Sequence, residues 1–139
     1  MEGKSKPAHG FSVRRARKAD MDAIMEMMAL LFPNASPRVL PDDVFYIAER
    51  SGIPIGFCHL RMREQRCYIA GLGVLAHYRE HGLGTSLLEH ALYYADRHGA
   101  QSTYLKVRAL NTASKLYLSL GFYERRSGDT LLLVRRRPS

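Results

Sequence analysis

The chain has 139 residues, 46% hydrophobic and 24% charged, with a formal net charge of +8 at pH 7. That composition excludes a disordered or fibrous chain, and the length suits one domain with one sizeable core. No apolar run approaches the roughly 20 residues that span a bilayer, and Met1-Glu2-Gly3-Lys4-Ser5-Lys6-Pro7 lacks the apolar stretch of a signal peptide.

Two cysteines, Cys58 and Cys67, show neither CxxC spacing nor the dense pattern of a disulfide scaffold, so both are expected as buried thiols in a cytoplasmic protein. The positive charge favours a polyanionic partner, whether nucleic acid, membrane surface or phosphorylated small molecule. Much of it lies in Arg14-Arg15-Ala16-Arg17-Lys18 and Arg135-Arg136-Arg137, which read as solvated surface.

In chain order, residues 1–10 are polar and aperiodic, as in a flexible tail, and residues 11–139 form the expected domain. Phe11 to Arg15 reads as a strand. Asp20 stands as N-cap of a helix whose Met21, Ile24, Met25, Met28, Leu31 and Phe32 recur at helical spacing, a stripe expected in the core, and Pro33-Asn34 stops it. Pro37 and Pro41 bracket an irregular connection with room for a short helix. Strand periodicity follows in Val44 to Glu49, Ile55 to Arg63 and Cys67 to Leu75, separated by turns at Ser51-Gly52 and Glu64-Gln65, an antiparallel meander.

A helix spans about Gly84 to His98, with Leu87, Leu88, Ala91, Leu92 and Ala95 on one face, and Gly99 ends it. Then come a strand from Thr103 to Arg108, a short helix from about Thr112 to Leu120, and strands Phe122 to Arg126 and Thr130 to Arg136 around Ser127-Gly128-Asp129. This order predicts an α/β (α+β) fold, a mixed sheet flanked by helices, in which the strand-helix-strand unit from Cys67 to Arg108 makes its two strands parallel.

The junction entering the long helix carries the chemistry. The chain leaves a strand, passes through Arg79-x-x-Gly82-x-Gly84, and enters a helix whose first turn holds Thr85 and Ser86. The first N–H groups of a helix lack internal partners and the helix dipole adds positive charge there, so a pyrophosphate is well received. Glycines admit the anion closely and tolerate positive φ, Arg79 adds a charged fork, and the hydroxyls of Thr85 and Ser86 can donate. A tight strand-to-helix turn would also explain the glycines. The third glycine of a dinucleotide fingerprint and the Gly-Lys-Ser/Thr of a P-loop are both absent.

At this point the chain resembles a known family. Ala70-Gly71-Leu72-Gly73-Val74-Leu75-Ala76-His77-Tyr78-Arg79-Glu80-His81-Gly82-Leu83-Gly84-Thr85-Ser86-Leu87-Leu88 is similar to the acyl-CoA-binding motif of GNAT acetyltransferases, with its Gln/Arg-x-x-Gly-x-Gly/Ala core. Asn111-Thr112-Ala113-Ser114-Lys115-Leu116-Tyr117-Leu118-Ser119-Leu120-Gly121-Phe122 resembles that family's Asn…Ala-x-x-Leu-Tyr-x-x-x-Gly-Phe element, and Val13 to Asp20 resembles its entry. The likeness runs from Phe11 to Arg136, and within the family the chain is loosely similar to the branch that acetylates ribosomal proteins and N-terminal alanine.

The resemblance implies a GNAT fold, a mostly antiparallel sheet with a splayed parallel pair in whose opening pantetheine lies. It implies acetyl-CoA as co-substrate, no metal, and transfer to an amine acceptor by direct attack. It assigns the pyrophosphate to the backbone of Arg79, His81, Gly82, Leu83 and Gly84 with Thr85, and pantetheine and the thioester carbonyl to the backbone of Leu72 and Val74. Gly71 and Gly73, costly inside an ordinary strand, are expected at a bulge or a close backbone approach. Asn111 matches the contact to the cofactor arm, with helix capping as its other reading. Tyr117 matches the tyrosine that protonates the departing thiolate, though Ala113, Leu116, Tyr117 and Leu120 also form an apolar stripe that would place it in the core.

Three departures stand out. The family usually has one more residue between that asparagine and the tyrosine. The N-terminal-acetylating branch carries Leu-Glu-Val-Arg where this chain has Leu105-Lys106-Val107-Arg108, and it places tyrosines in the last hairpin turn where this chain has Ser127-Gly128-Asp129. Without that glutamate the bases left are Glu49, His59, Tyr68 or His77 acting through water. Deprotonating a lysine side chain costs roughly 4 to 5 kcal/mol at neutral pH, and an α-amine about 1, so a site without an evident base leans toward α-amines, whereas the short hairpin counts against a peptide-end specialist. An acyl-CoA sensor that has lost its base remains an alternative. Nucleic-acid binding rests on charge alone, with no recognised signature. A monomer or homodimer is expected.

Overall fold

The computed structural model describes residues 10–107 and 114–139. Of the expected tail only Gly10 falls within them, and Arg108, Asn111, Thr112 and Ala113 lie outside.

Seven strands form one sheet in the order β1-β2-β3-β4-β5-β7-β6, with β1 Phe11–Arg15, β2 Val44–Arg50, β3 Ile53–Arg63, β4 Arg66–Val74, β5 Ser102–Val107, β6 Tyr123–Ser127 and β7 Thr130–Arg136. All neighbours run antiparallel except β4 and β5. The helices are α1 Met21–Leu31, α2 Leu83–Arg97 and α3 Ser114–Ser119. This is the mixed sheet expected from the sequence.

Strand alternation explains the layers. Val44, Tyr46 and Ala48 of β2 join the cluster built on Leu83, Leu87, Leu88, Ala91, Leu92 and Ala95 of α2, while Phe45 and Ile47 join Ile24, Met27 and Met28 of α1. Successive side chains on a strand point to opposite faces, so α1 and α2 cover opposite faces of the sheet. The methionine stripe of α1 is core, although Met25 and Phe32 are exposed. Cys58 and Cys67 are buried free thiols, and burial pushes Cys67 up to about 12.

The turns follow backbone chemistry. Ser51 and Gly52 have φ of 50° and 79°, both left-handed, as a two-residue hairpin between Arg50 and Ile53 requires. At the end of α2, Gly99 has φ 89° and the Ala100 N–H donates to the Ala95 carbonyl at 2.9 Å, closing the helix.

Three expectations need correction. Asp20 makes no side-chain cap of α1, because a 3-10 turn, Lys18–Asp20, precedes it; its carboxylate instead accepts from the Arg17 N–H at 2.7 Å and from Arg14 at 2.8 Å. No helix forms between Pro37 and Pro41; turns lead into Asp43, whose carboxylate accepts from the Leu40 N–H at 2.9 Å. The basic tracts are not free surface throughout. Arg14 bridges Asp20 and Glu49, Arg135 pairs with Asp96 at 3.1 Å, and Arg137 donates to the Asp96 carbonyl.

Candidate active site

The parallel pair is short. Arg66, Cys67 and Tyr68 of β4 are registered with Ser102, Thr103 and Tyr104 of β5, and beyond Tyr68 the two strands part. β4 stays with β3 to Val74, through an irregularity at which Leu60 faces Ile69 and His59 faces Gly71, so Ala70 is the extra residue of a bulge. The bulge bends β4 away from β5.

That divergence frees one edge of β4. The Leu75 N–H donates to the Ile55 carbonyl at 2.9 Å, so Leu75, and by alternation Gly73 and Gly71, direct their backbone groups toward β3. Leu72 and Val74 therefore direct theirs into the opening. The Val74 carbonyl is met there by Arg79 Nε at 3.1 Å. Two backbone N–H groups, at Leu72 and Val74, thus lie along the wall of the gap.

Gly71 and Gly73 serve a different close approach from a ligand's. A Cβ on Gly73 would stand 2.7 Å from Leu31 Cδ1, and one on Gly71 would stand 3.2 Å from the Phe57 ring. These glycines let the end of α1 and Phe57 settle on the sheet, on the face away from α2.

After β4 a 3-10 turn, Ala76–Tyr78, leads to Arg79, and two residues then take left-handed backbone, Glu80 at φ 67° and Gly82 at φ 76°. Gly82 is the N-cap of α2, which begins one residue before the predicted Gly84, and no side chain caps it. The first N–H of α2 with a backbone partner is that of Ser86, on the Gly82 carbonyl at 3.0 Å. The N–H groups of Leu83, Gly84 and Thr85 have no partner among the described residues, so they, with the dipole of a 15-residue helix, can receive an anion. His81 stacks on Phe11, ring centroids 5.1 Å apart, which steadies the loop. Thr85 is half-buried, whereas Ser86 is buried and its hydroxyl finds no partner among the described residues, so it faces the interior and not the loop.

Leu116 of α3 lies against this helix start, 3.5 Å from where a Cβ of Gly84 would be. The next residue, Tyr117, packs edge-on to Phe122 at 5.6 Å and against the α2-side core. Burial pushes its phenol up to about 12, with the Cys58 thiol adding to the effect. Cys58 is the β3 partner of Leu72, so Tyr117 stands on the side of the sheet toward which Leu72 projects. Tyr117 is thus partly buried against the α2-side core, and its phenol is protonated at neutral pH. Asn111 lies outside the described residues.

Of the candidate bases, Glu49 is held by Arg14 at 2.8 Å and His77 is exposed in the 3-10 turn. His59 is 1% exposed, stacked on Phe45 at 4.2 Å, with Nε2 2.7 Å from Asp43 Oδ2. Burial lowers its pKa more than Asp43 raises it, so it is neutral and donates to Asp43. Tyr68 sits at the last rung before the gap.

Sequence reasoning missed what surrounds that rung on the face away from α2. A depression of about 370 Å3 is lined there by Arg38, Arg61, Arg63, Tyr68, Tyr104 and Lys106. Arg61 and Arg63 alternate along β3, a visible signal, but only the register of β3, β4 and β5 brings them beside the two tyrosines. Asp43 fixes one wall. Its fully buried carboxylate accepts from Arg61 Nε at 2.8 Å, and Arg61 Nη2 also donates to the Arg38 carbonyl at 2.8 Å. Burial pushes the Asp43 carboxyl up, but hydrogen bonds from Arg61, the Leu40 N–H and His59 outweigh it and hold the group well below the usual carboxylate range.

Comparison with known proteins places the fold and the family. The chain is 27% identical over 141 aligned positions to an N-alpha-acetyltransferase of Sulfurisphaera tokodaii, covering 86% of this chain and 84% of the relative. Its fold superposes on the ribosomal-protein-S18-alanine N-acetyltransferase of Escherichia coli with a TM-score of 0.71 at 21% identity, covering 91% and 93% of the two chains. It also superposes on yncA of Salmonella typhimurium, solved with its cofactor acetyl-CoA, with a TM-score of 0.74 at 20% identity over 92% and 94%. The profile of the acetyltransferase (GNAT) family matches residues 14–125. The chain belongs to the GNAT family and is an acyl-CoA-dependent acetyltransferase.

Proposed function

We propose that this chain transfers the acetyl group of acetyl-CoA directly to a primary amine in a ternary complex, and that residues 11–139 form one domain organised around that step. One observation carries the reading: β4 and β5 part after Tyr68 and Tyr104, and the edge so exposed leads from Leu72 and Val74 straight to the unpartnered N–H groups at the start of α2.

In this reading the backbone N–H groups of Leu83, Gly84 and Thr85, with those of His81 and Gly82 and the Arg79 guanidinium, hold the pyrophosphate. Leu72 and Val74 hold the pantetheine arm by main-chain hydrogen bonds, and a preset N–H on that edge stabilises the charge that develops on the thioester carbonyl oxygen. The acceptor attacks as a free amine, its ammonium proton having gone to solvent. The new C–N bond forms as the C–S bond breaks, Tyr117 gives its proton to the thiolate, and the nitrogen's surplus proton returns to the phenolate through solvent. No step asks for a metal ion.

The test joins calorimetry with acetyl-CoA to thiol release in the presence of amines. Heat of binding together with amine-dependent thiol release is expected. Folded protein that binds acetyl-CoA and turns over no amine would instead be the acyl-CoA sensor.

A further inference from the structure

The depression beside Tyr68 and Tyr104 lies at the fork where, on the reading above, the thioester would be presented, so this inference rests on that reading. Its lining is strongly cationic. Arg61 is matched by Asp43, and Arg63 by Asp42 at 3.4 Å. Arg38 and Lys106 face no carboxylate among the described residues; Lys106 Nζ lies 5.9 Å from the Tyr68 ring centroid. With His59 neutral, the lining and its buried support carry two positive charges without a counterion among the described residues, facing a recess of about 370 Å3, a size suited to a small molecule or the end of a peptide.

We propose that the acceptor is an amine carrying a carboxylate within a few bonds of its nitrogen, and that Arg38 and Lys106 bind that carboxylate beside the two tyrosines. Either a free acidic amino acid or the acidic first residue of a peptide supplies this chemistry. Three arguments support the proposal.

Two unmatched cations at a recess favour an anionic ligand and repel a cationic one, so basic acceptors such as polyamines fit poorly. The wall is built in advance, because Asp43 ties Arg61 and the Leu40 backbone together and Arg61 ties down the Arg38 carbonyl, leaving the Arg38 side chain free to act. The same positive field disfavours an ammonium more than a neutral amine, which lowers the acceptor's pKa. The lysine at position 106, where a glutamate base would be expected, then helps supply free amine by electrostatics instead of by accepting a proton.

The experiment measures acetyl-CoA-dependent thiol release by the full chain with free glutamate, and with peptides led by Glu, Gln or Lys and otherwise identical. A KM about tenfold lower for the Glu peptide than for the Gln peptide is expected, the ratio that ~1.4 kcal/mol of charge-assisted bonding gives, with the Lys peptide poorest. The R38Q/K106Q double variant should abolish that ratio while its Kd for acetyl-CoA stays within about twofold of the parent, since neither side chain touches the phosphate loop. Turnover of free glutamate assigns the source as the amino acid, and turnover of the Glu peptide alone assigns it as a peptide end. Equal KM values for the Glu and Gln peptides, a preference for the Lys peptide, or acetyl-CoA binding with no turnover of any member would overturn the inference and leave the cofactor reading intact. Failure to bind acetyl-CoA would overturn both.

Discussion

Gly73 lies where a Cβ would stand 2.7 Å from Leu31 Cδ1, with the Phe57 and Phe32 rings at 3.2 and 3.3 Å. The last turn of α1 therefore rests on bare backbone of β4. Gly73→Ala overpacks a site walled by three large side chains and should destabilise the fold by about 1 to 3 kcal/mol, several degrees in Tm. Thermal unfolding checks this, and an unchanged Tm would mean that α1 packs elsewhere. Because the Gly73 backbone groups point to β3 and not into the gap, the acetyl-CoA Kd measured well below that Tm should change little.

The meander, the long helix and the parallel pair were legible in the sequence because each rests on local periodicity, two in the strands and 3.6 in α2. So was the strand-to-helix junction at Gly82 and Gly84, since glycines there carry their own backbone reason. What lay hidden needed long-range register. Nothing local reveals that Asp43 reaches across to His59 and Arg61, residues 16 and 18 positions away, or that Tyr68 and Tyr104 form the last rung before the strands part. The glycines of β4 were expected at a bulge or a close approach and stand there, Gly71 beside the bulge and under Phe57 and Gly73 under Leu31 at the end of α1, but which groups approach them depends on packing that the local sequence does not show.

The Asp43 network makes acid sensitivity predictable. The Asp43 carboxyl is depressed in the folded chain, so its contribution is complete above the unfolded value near 4 and is lost as pH falls toward the folded one. His59 is also depressed, and so neutral when folded. Protonation of the unfolded chain below about pH 6.5 therefore erodes stability first through His59 and then, below about pH 4, through Asp43. Denaturant midpoints across pH 3 to 8 should show both phases. Asp43→Asn should cost on the order of 3 kcal/mol at pH 7, by leaving Arg61 unpaired, and should flatten the lower phase. A midpoint constant from pH 8 to 5 would contradict the assignment of His59.

Gly82 separates stability from binding. Its φ of 76° is strained for any side chain, yet a Cβ there would meet nothing within 4 Å. Gly82→Ala should thus cost only about 1 kcal/mol of stability. If the pyrophosphate lies over this turn, the added methyl projects into its place, and the acetyl-CoA Kd measured by calorimetry should rise more than about tenfold, beyond what ~1.4 kcal/mol accounts for. A Kd that rises no more than stability falls would move the phosphate site away from the start of α2.

Tyr117→Phe tests the proton donor against the core residue. The side chain is partly buried against Phe122, and its phenol, pushed up to about 12, is fully protonated at pH 7. Phenylalanine preserves the ring and the edge-on contact and removes only the oxygen, so Tm and the acetyl-CoA Kd should hold. The kcat should fall by about 100-fold, in the range general acid catalysis supplies, with KM nearly constant because the lost interaction belongs to the leaving thiolate. Lowering the leaving group's need should reverse the defect. An acyl donor whose thiol is far more acidic than CoA departs without a proton, and with it the variant and the parent should converge. If the variant stays equally impaired on such a donor, Tyr117 acts by packing α3 against the start of α2, and the proton comes from elsewhere.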